Sequence, residues 1–251
     1  MQTINVATWN IGSLYQNYEK NIRYLERMIS GQQIDILCMQ ELPRIPELLE
    51  SICRWGGFGN HLFQVTSESH VCRENDMGIA IFSRFPLVAL ETVRLTKPTV
   101  PIFYKGREEF WHDKYFLAAS CDFGEKKGIV VTGHGFPFHR YEMENEENYH
   151  IIRPPFEELD AWLGQLESRF SLDMFCVSAD LNYPTPLQFM PDAARRFTDV
   201  FAGQATRPTG RKTDTVLIPE GVSAPEMINI PCQEDGETVF DHYFIMAGLQ
   251  R

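Results

Sequence analysis

Asp180 and Asn182 stand two residues apart in the stretch CVSADLNYPTP, directly after the apolar run Met174-Phe175-Cys176-Val177. Residues i and i+2 of a strand share a face, so a carboxylate and a carboxamide are expected to project together from a strand end. The competing reading is an Asx turn before proline, a common place for Asp and Asn. Four other apolar segments carry reactive groups at or near their ends: Asn10 after INVATW, Glu41 closing IDILCMQE, His134 after KGIVVTG, and the Asp241-His242 pair in VFDHYFIMAG. Asp214 in KTDTVLI is a further candidate. Each alone reads as a turn cap or a polar strand end. Five in separate apolar segments do not, because a carboxylate beside a core strand is costly without a partner. One shared metal ion and hydrogen-bond network would satisfy them together, which points to phosphate or metal chemistry.

The elements that must position these groups follow from periodicity. Apolar and β-branched runs predict strands at INVATW, IDILCMQE, HLFQVT, GIAIFS, LVALETVRL, YFLAASCDF, KGIVVTGH, LDMFCVSAD, TDTVLIP and VFDHYFIMAG. Spacings of three to four predict helices over Tyr18 to Ile29, Pro46 to Trp55, and Phe156 to Phe170 with Leu159, Leu163 and Leu166 inward. The expected fold class is α+β: a four-layer sandwich of two packed mixed β-sheets flanked by helices, as one domain over residues 1–251. Asp214 and His242 are expected to lie on neighbouring strands, since sequential strands often pair. The acidic run Glu142 to Asn148 reads as a solvated loop or helix start.

The order of these segments resembles the endonuclease/exonuclease/phosphatase superfamily. The resemblance rests on TWNIG, MQE, GIAIFSRFPL, TGHG, SADLN and FDH, and runs from Ile4 to Ala247. It departs from the family pattern at Ala179, where glycine is usual before the aspartate. It departs also at Phe240, in place of serine, and at His134, which lies between two glycines. No departure removes a reactive group. The resemblance implies a phosphoester hydrolase using Mg2+ or Mn2+, with Glu41 and Asp241 as metal ligands and Asn10 orienting Glu41 or joining the metal. It implies that Asp180 positions or deprotonates the attacking water and that Asn182 holds the phosphate. His242 would contact the phosphate or move a proton with Asp214 fixing its tautomer, and His134 would be a second phosphate donor or general acid.

Other chemistries fit poorly. His134 and His139 are five apart among Gly133, Gly135 and Pro137, unlike the helical H-E-x-x-H zinc motif. There is no G-x-S-x-G elbow and no G-x-x-x-x-G-K-[ST] loop. The six cysteines form no C-x-x-C pair, no signal-peptide layout opens the chain, and no apolar run approaches the roughly 20 residues of a spanning helix. A reduced, intracellular, cytoplasmic protein is expected. The formal net charge of -11 argues against a protein that coats nucleic acid through bulk positive charge, but not against local phosphate contacts. Arg195, Arg196, Arg207, Arg211 and Lys212 could grip a nucleic-acid backbone or a polyphosphate, or form a solvated face. The stretch Lys97 to Tyr115 mixes Phe103, Tyr104, Phe110 and Trp111 with Lys105 and Arg107. It reads either as a base-stacking surface or as an ordinary hairpin. A nucleic-acid phosphodiester is the favoured substrate. A small or lipid phosphoester, such as an inositol phosphate or sphingomyelin, is the alternative, and a non-catalytic binding module on the same fold is the second.

Overall fold

The computed structural model describes residues 3–12, 14–68, 76–124, 126–170 and 174–251. Its main elements in chain order are β1 (Ile4–Asn10), α1 (Tyr18–Gly31), β2 (Ile36–Pro43), α2 (Pro46–Gly56), β3 (Asn60–Glu68), β4 (Asp76–Ser83) and β5 (Leu87–Arg94). The short strands β6 (Ile102–Tyr104) and β7 (Arg107–Glu109) follow, then β8 (Tyr115–Asp122), β9 (Lys127–Gly133), α3 (Tyr149–Arg169) and β10 (Met174–Asp180). The remainder are α4 (Pro191–Arg196), β11 (Phe197–Asp199), β12 (Asp214–Pro219), β13 (Ser223–Ile230), β14 (Gln233–Glu234), β15 (Glu237–Thr238) and β16 (Phe244–Gln250).

Two six-stranded sheets carry the architecture. Their orders are β13-β16-β1-β2-β4-β3 and β11-β12-β10-β9-β8-β5. Each contains one parallel pair, β1 with β2 and β9 with β10, among antiparallel neighbours. The facing surfaces interdigitate Val6, Ile36, Cys38 and Ile81 with Ala119, Val130, Cys176 and Val216. On the outer side of the first sheet, Leu25 and Ile29 of α1 and Ile52 of α2 pack with Leu37 and Met39. On the outer side of the second, Leu159, Leu163 and Leu166 of α3 pack with Val131 and Val177. The layers are therefore helix, sheet, sheet, helix, as expected. Burying each such aliphatic side chain contributes about 1.5–3 kcal/mol. Cys38 and Cys176 lie in the inter-sheet layer as small apolar groups, and all five described cysteines are free; Cys72 lies outside the described residues. No helix among the described residues is long and apolar enough to cross a membrane.

Four expectations need correction. α3 begins at Tyr149 rather than Phe156, although Pro154 and Pro155 lie inside it. Proline in a helix interior removes a hydrogen bond, but Ile152, Pro155 and Phe156 are buried against the core and hold the turn in place. β1 runs one residue further, through Asn10. β16 starts only at Phe244, so Asp241 and His242 precede a strand instead of lying in one. Finally, β12 pairs with β10 and β11, while β16 pairs with β1 and β13, so Asp214 opens a strand of one sheet and His242 sits just before a strand of the other. The segment from Glu142 to Asn148 is the short turn that leads into α3, with Glu146–Asn148 in a 3-10 helix.

Candidate active site

Strand register gathers the site. In the parallel pair β1–β2, Asn10 lies opposite Gln40, which places it beside Glu41. Between Met39 and Leu42 the pairing of β2 with β4 shifts by one residue, and Glu41 takes a positive φ of 52°. An extra residue of this kind re-aims a side chain. Gln40 consequently faces the other sheet, donating 3.0 Å hydrogen bonds to Thr8 and Thr132, while Glu41 lines the cleft. In the second sheet, His134 bridges Asp180 at the ends of the parallel strands β9 and β10, and Asp180 lies opposite Asp214 across the antiparallel pair β10–β12.

The side chains then meet across the two sheets. Asn10 donates through Nδ2 to Glu41 Oε1 at 3.2 Å and to Asp180 Oδ2 at 2.9 Å. Its own Oδ1 accepts from Gly12 N at 2.9 Å. A Cβ at Gly12 would fall 2.0 Å from Glu41 Oε2, so any other residue there would make this carboxylate shift. Asp180 Oδ1 accepts from the Asn182 amide at 2.9 Å. Both initial readings of SADLN therefore hold in part. Asp180 closes an Asx-type turn through one oxygen and meets the site through the other, while Asn182 sits past the strand end at a φ of 53°. Asn182 Nδ2 donates to the Gly135 carbonyl at 3.2 Å.

His242 Nδ1 lies 2.9 Å and 3.1 Å from the two carboxylate oxygens of Asp214, and its Nε2 lies 3.8 Å from Asp180 Oδ2. Thr206 Oγ1 accepts from Asp214 N at 3.1 Å, and Thr213 Oγ1 donates to Asp214 Oδ2 at 3.0 Å. Burial alone would lower the His242 pKa, but the carboxylates of Asp214 and Asp180 outweigh it and raise it to about 9. Burial raises Asp180 to about 6, against the pull of His242. Burial also acts to raise Asp214, yet the charge of His242 and its hydrogen bonds bring it below the ordinary carboxylate value.

His134 is different. Its Nε2 lies 3.6 Å from both Glu41 Oε1 and Asp180 Oδ2, and Lys114 Nζ approaches both ring nitrogens at 3.3 Å. Burial, then the Lys114 charge, hold its pKa well below the usual histidine value. Lys114 is itself buried and lowered by desolvation, with Glu41 and Asp180 acting in the opposite sense. Nothing in its local sequence marked Lys114, because its part arises from a contact 20 residues away in sequence. His139, set aside as a zinc ligand, lines the same cleft. Burial and the Arg207 charge take its pKa down to about 4.

The cleft has a volume of about 820 Å³. Glu41, Asn182, Asp241 and His242 line it from the sheet ends, and Tyr104, Glu108, Glu109 and Phe110 line it from the β6–β7 hairpin. Asp180, fully buried, lies beside them through Asn10, His134 and His242. Asp241 forms an ion pair with Arg207. The other basic residues of the suggested patch are engaged elsewhere: Arg195 with Asp192, Arg196 with Glu167, Arg211 with Glu144, and Lys212 with Asp199 at 2.6 Å in a buried pair. Of those five cations, only Arg207 lines the cleft. The Lys97 to Tyr115 stretch does form a hairpin. Trp111 is buried and donates to the Val100 carbonyl at 2.9 Å, whereas Phe103 and Phe110 are 58% and 81% exposed.

Asp180, Asp214 and His242 bring one donor atom each within 4.8 Å of one another. Within this group His242 Nδ1 is committed to Asp214, and Asp180 Oδ2 stands 3.8 Å from Nε2. Glu41 and Asp241 also present carboxylate oxygens to the cleft, and oxygen is the donor that Mg2+ and Mn2+ take. Glu41 and Asp241 open onto the cleft, and the space beside Glu41 is kept clear by Gly12.

Comparison with known proteins agrees with this construction. No curated protein sequence matches the chain. Among solved structures, Danio rerio TDP2 complexed with single strand DNA product superposes with a TM-score of 0.70 at 16% identity, covering 100% of both chains. The human Nocturnin catalytic domain with bound sulfate gives 0.70 at 14% identity, covering 99% of this chain and 93% of that one. An endonuclease/exonuclease/phosphatase from Bacteroides vulgatus gives 0.69 at 12% identity, covering 100% and 99%. At these identities the likeness concerns the fold. Residues 7–213 match the model of the Endonuclease/Exonuclease/phosphatase family, and with the same strand-end groups meeting at one cleft, the chain belongs to that family.

Proposed function

We propose that this protein is a divalent-metal-dependent phosphodiesterase that hydrolyses a nucleic-acid phosphodiester, with Mg2+ or Mn2+ as cofactor. The observation that carries this reading is the meeting of Asn10, Glu41, His134, Asp180, Asp214 and His242 across two sheets, through hydrogen bonds and ionic contacts no longer than 3.8 Å. Glu41, Asp241 and Asn10 would hold the metal, which when bound supplies charge neutralisation at the phosphate. His242, charged at neutral pH, has Nδ1–H committed to Asp214, so its Nε2–H is the proton to offer toward the phosphate or the leaving oxygen. Asp180 has a proton affinity suited to accepting a proton from the attacking water. Asn182 keeps one amide N–H beyond its bond to Gly135 and would use it on a phosphate oxygen. His134 is neutral, and so serves as a hydrogen-bonding group rather than a general acid.

The substrate reading rests on the hairpin. Tyr104 and Phe110 line the cleft, with the Arg140 guanidinium 4.3 Å from the Tyr104 ring centroid. Aromatic faces beside cations suit unpaired bases, and the TDP2 of similar fold was solved with single strand DNA product. The scattered pairing of Arg195, Arg196, Arg211 and Lys212 argues against a long basic track for duplex. A small or lipid phosphoester is the second reading. It is favoured by Glu108, Glu109 and Asp113 along the cleft wall, which would repel an extended polyanion.

The test is turnover of bis-p-nitrophenyl phosphate, single-stranded DNA, duplex DNA, RNA, inositol phosphates and sphingomyelin, with Mg2+, Mn2+ or EDTA. Metal-dependent cleavage of single strands in preference to duplex is expected. Hydrolysis of none of them with either metal would refute an enzyme, and cleavage of only small phosphoesters would establish the second reading.

A further inference from the structure

Arg207 sits among the reactive groups without a part in the scheme above. Its loop is tightly closed: Arg207 N donates to the Arg211 carbonyl at 3.1 Å, and Gly210 N donates back to the Arg207 carbonyl at 3.0 Å. Gly210 has a φ of 79°, which suits glycine in such a turn. The preceding residue, Thr206, is the one that pins Asp214. The side chain is thus held by the same loop that fixes the histidine's partner.

The guanidinium is also fixed. Nε donates to the Asp241 carbonyl at 3.2 Å, Nη2 donates to Asp241 Oδ2, and Nη1 lies 3.4 Å from His139 Nε2. A guanidinium has five N–H groups. These three contacts leave one on each terminal nitrogen among the described residues, at a side chain 16% exposed that lines the cleft. A planar fork with an N–H on each arm matches two oxygens of one phosphate.

We propose that Arg207 binds the non-bridging oxygens of the substrate phosphoryl group, and that His139 is the positioning residue that sets its guanidinium plane. This rests on the phosphoesterase reading and adds the anion-binding group to it. His139 is suited to its part because it is neutral: with a pKa of about 4 its Nε2 lone pair accepts from Nη1 without adding a second negative charge to the one Asp241 already sets against the guanidinium. A second carboxylate beside Asp241 would leave the cation over-neutralised and weaken its hold on phosphate. Its partner Asp241 is the chain neighbour of His242, and both line the cleft with Arg207, which places the guanidinium beside the reacting centre. The competing account is a structural clamp that only ties the loop to Asp241.

The two accounts separate by phosphate binding. Inorganic phosphate would be titrated by 31P NMR and calorimetry into the metal-free full chain, as wild type, Arg207→Lys, Arg207→Met, His139→Gln and His139→Leu. Bis-p-nitrophenyl phosphate kinetics with Mg2+ and thermal melts would be run in parallel. Arg207→Met should weaken phosphate binding by about tenfold or more, the scale of a lost charge-assisted pair, with Arg207→Lys in between. His139→Leu should weaken it less and raise KM more than it lowers kcat, and His139→Gln, whose amide oxygen can accept, should restore most of it. Phosphate binding that is absent in wild type, or unchanged in both Arg207 variants, overturns the proposal, as does identical behaviour of His139→Gln and His139→Leu. Loss of melting temperature with unchanged phosphate binding would establish the clamp. If phosphate binding depends on Arg207 and His139 while wild type cleaves no diester, the inference stands and the phosphodiesterase reading falls. Diester cleavage with Arg207-independent phosphate binding gives the reverse.

Discussion

Asp214 and His242 join the two sheets: the carboxylate opens a strand of one, the imidazole precedes a strand of the other, and they meet at 2.9 Å. Their partnership is an inter-sheet contact, not a cross-strand one. Asp214→Asn should leave the fold and metal binding intact and lower kcat by about 10²–10⁴-fold, the range of lost acid–base function. Steady-state kinetics and the pH–rate profile check it. A near-wild-type kcat with an unchanged profile would mean that His242 works without Asp214.

The charge on His242 has a consequence for stability. Its pKa is about 9 in the folded chain against 6.5 for an ordinary histidine. The folded state therefore binds the proton more tightly, and this contribution is fully present below pH 6.5 and is lost as pH rises through about 9. In EDTA, the stability difference between wild type and His242→Gln should narrow over that window. Denaturant melts at a series of pH values measure it, and a difference that widens with pH would contradict an imidazolium.

Glu41 and Asp241 are expected to provide the metal's carboxylates. Calorimetric titration with Mg2+ or Mn2+ should show binding in wild type and its loss in a Glu41→Gln, Asp241→Asn double variant. Undiminished binding in the double variant would exclude both as ligands.

Gly12 protects that arrangement by having no side chain. Gly12→Ala places a methyl 2.0 Å from Glu41 Oε2, so the carboxylate must move. Metal affinity and activity should fall by at least about tenfold, on the scale of one misplaced ligand, while the melting temperature changes little. Metal affinity equal to wild type would show that Glu41 has room to spare.

Lys212 belongs to the core rather than to a substrate surface. It pairs with Asp199 at 2.6 Å and donates to Thr215 Oγ1 at 2.7 Å. Lys212→Met strands the buried Asp199 and should cost about 3–5 kcal/mol of unfolding free energy. Chemical denaturation checks this. A loss below about 1 kcal/mol would place the pair in solvent.

The sandwich was legible because both sheets are built from long apolar runs whose faces bury on either side, and because the helices repeat at three to four residues. Asn10, Glu41, His134 and Asp180 were legible for a related reason: each is a polar group at the end of a largely apolar run. Lys114, His139 and the Arg207 clamp were not. Their significance comes from contacts between segments 20 to 68 residues apart, and no local pattern encodes those. The shift in β2 that turns Glu41 to the cleft was hidden as well, because MQE is compatible with a regular strand. The pairing of Asp214 with His242 was anticipated, but through adjacent strands. The real route crosses the inter-sheet layer, which sequence order alone does not disclose.

The first sheet is assembled from both ends of the described chain: β1 lies between β2 and β16, and β16 in turn holds β13 at the edge. The second sheet draws all its strands from the interval between them. On a ribosome, β1 to β4 and the whole second sheet emerge while the β1 edge still has no β16 beside it. His242 and Asp241 arrive with β16, after every strand of the second sheet. Until then Asp214 has no imidazole and Asn10 and Glu41 face an unfinished cleft. The cleft is therefore completed last, by the strand that closes the open β1 edge.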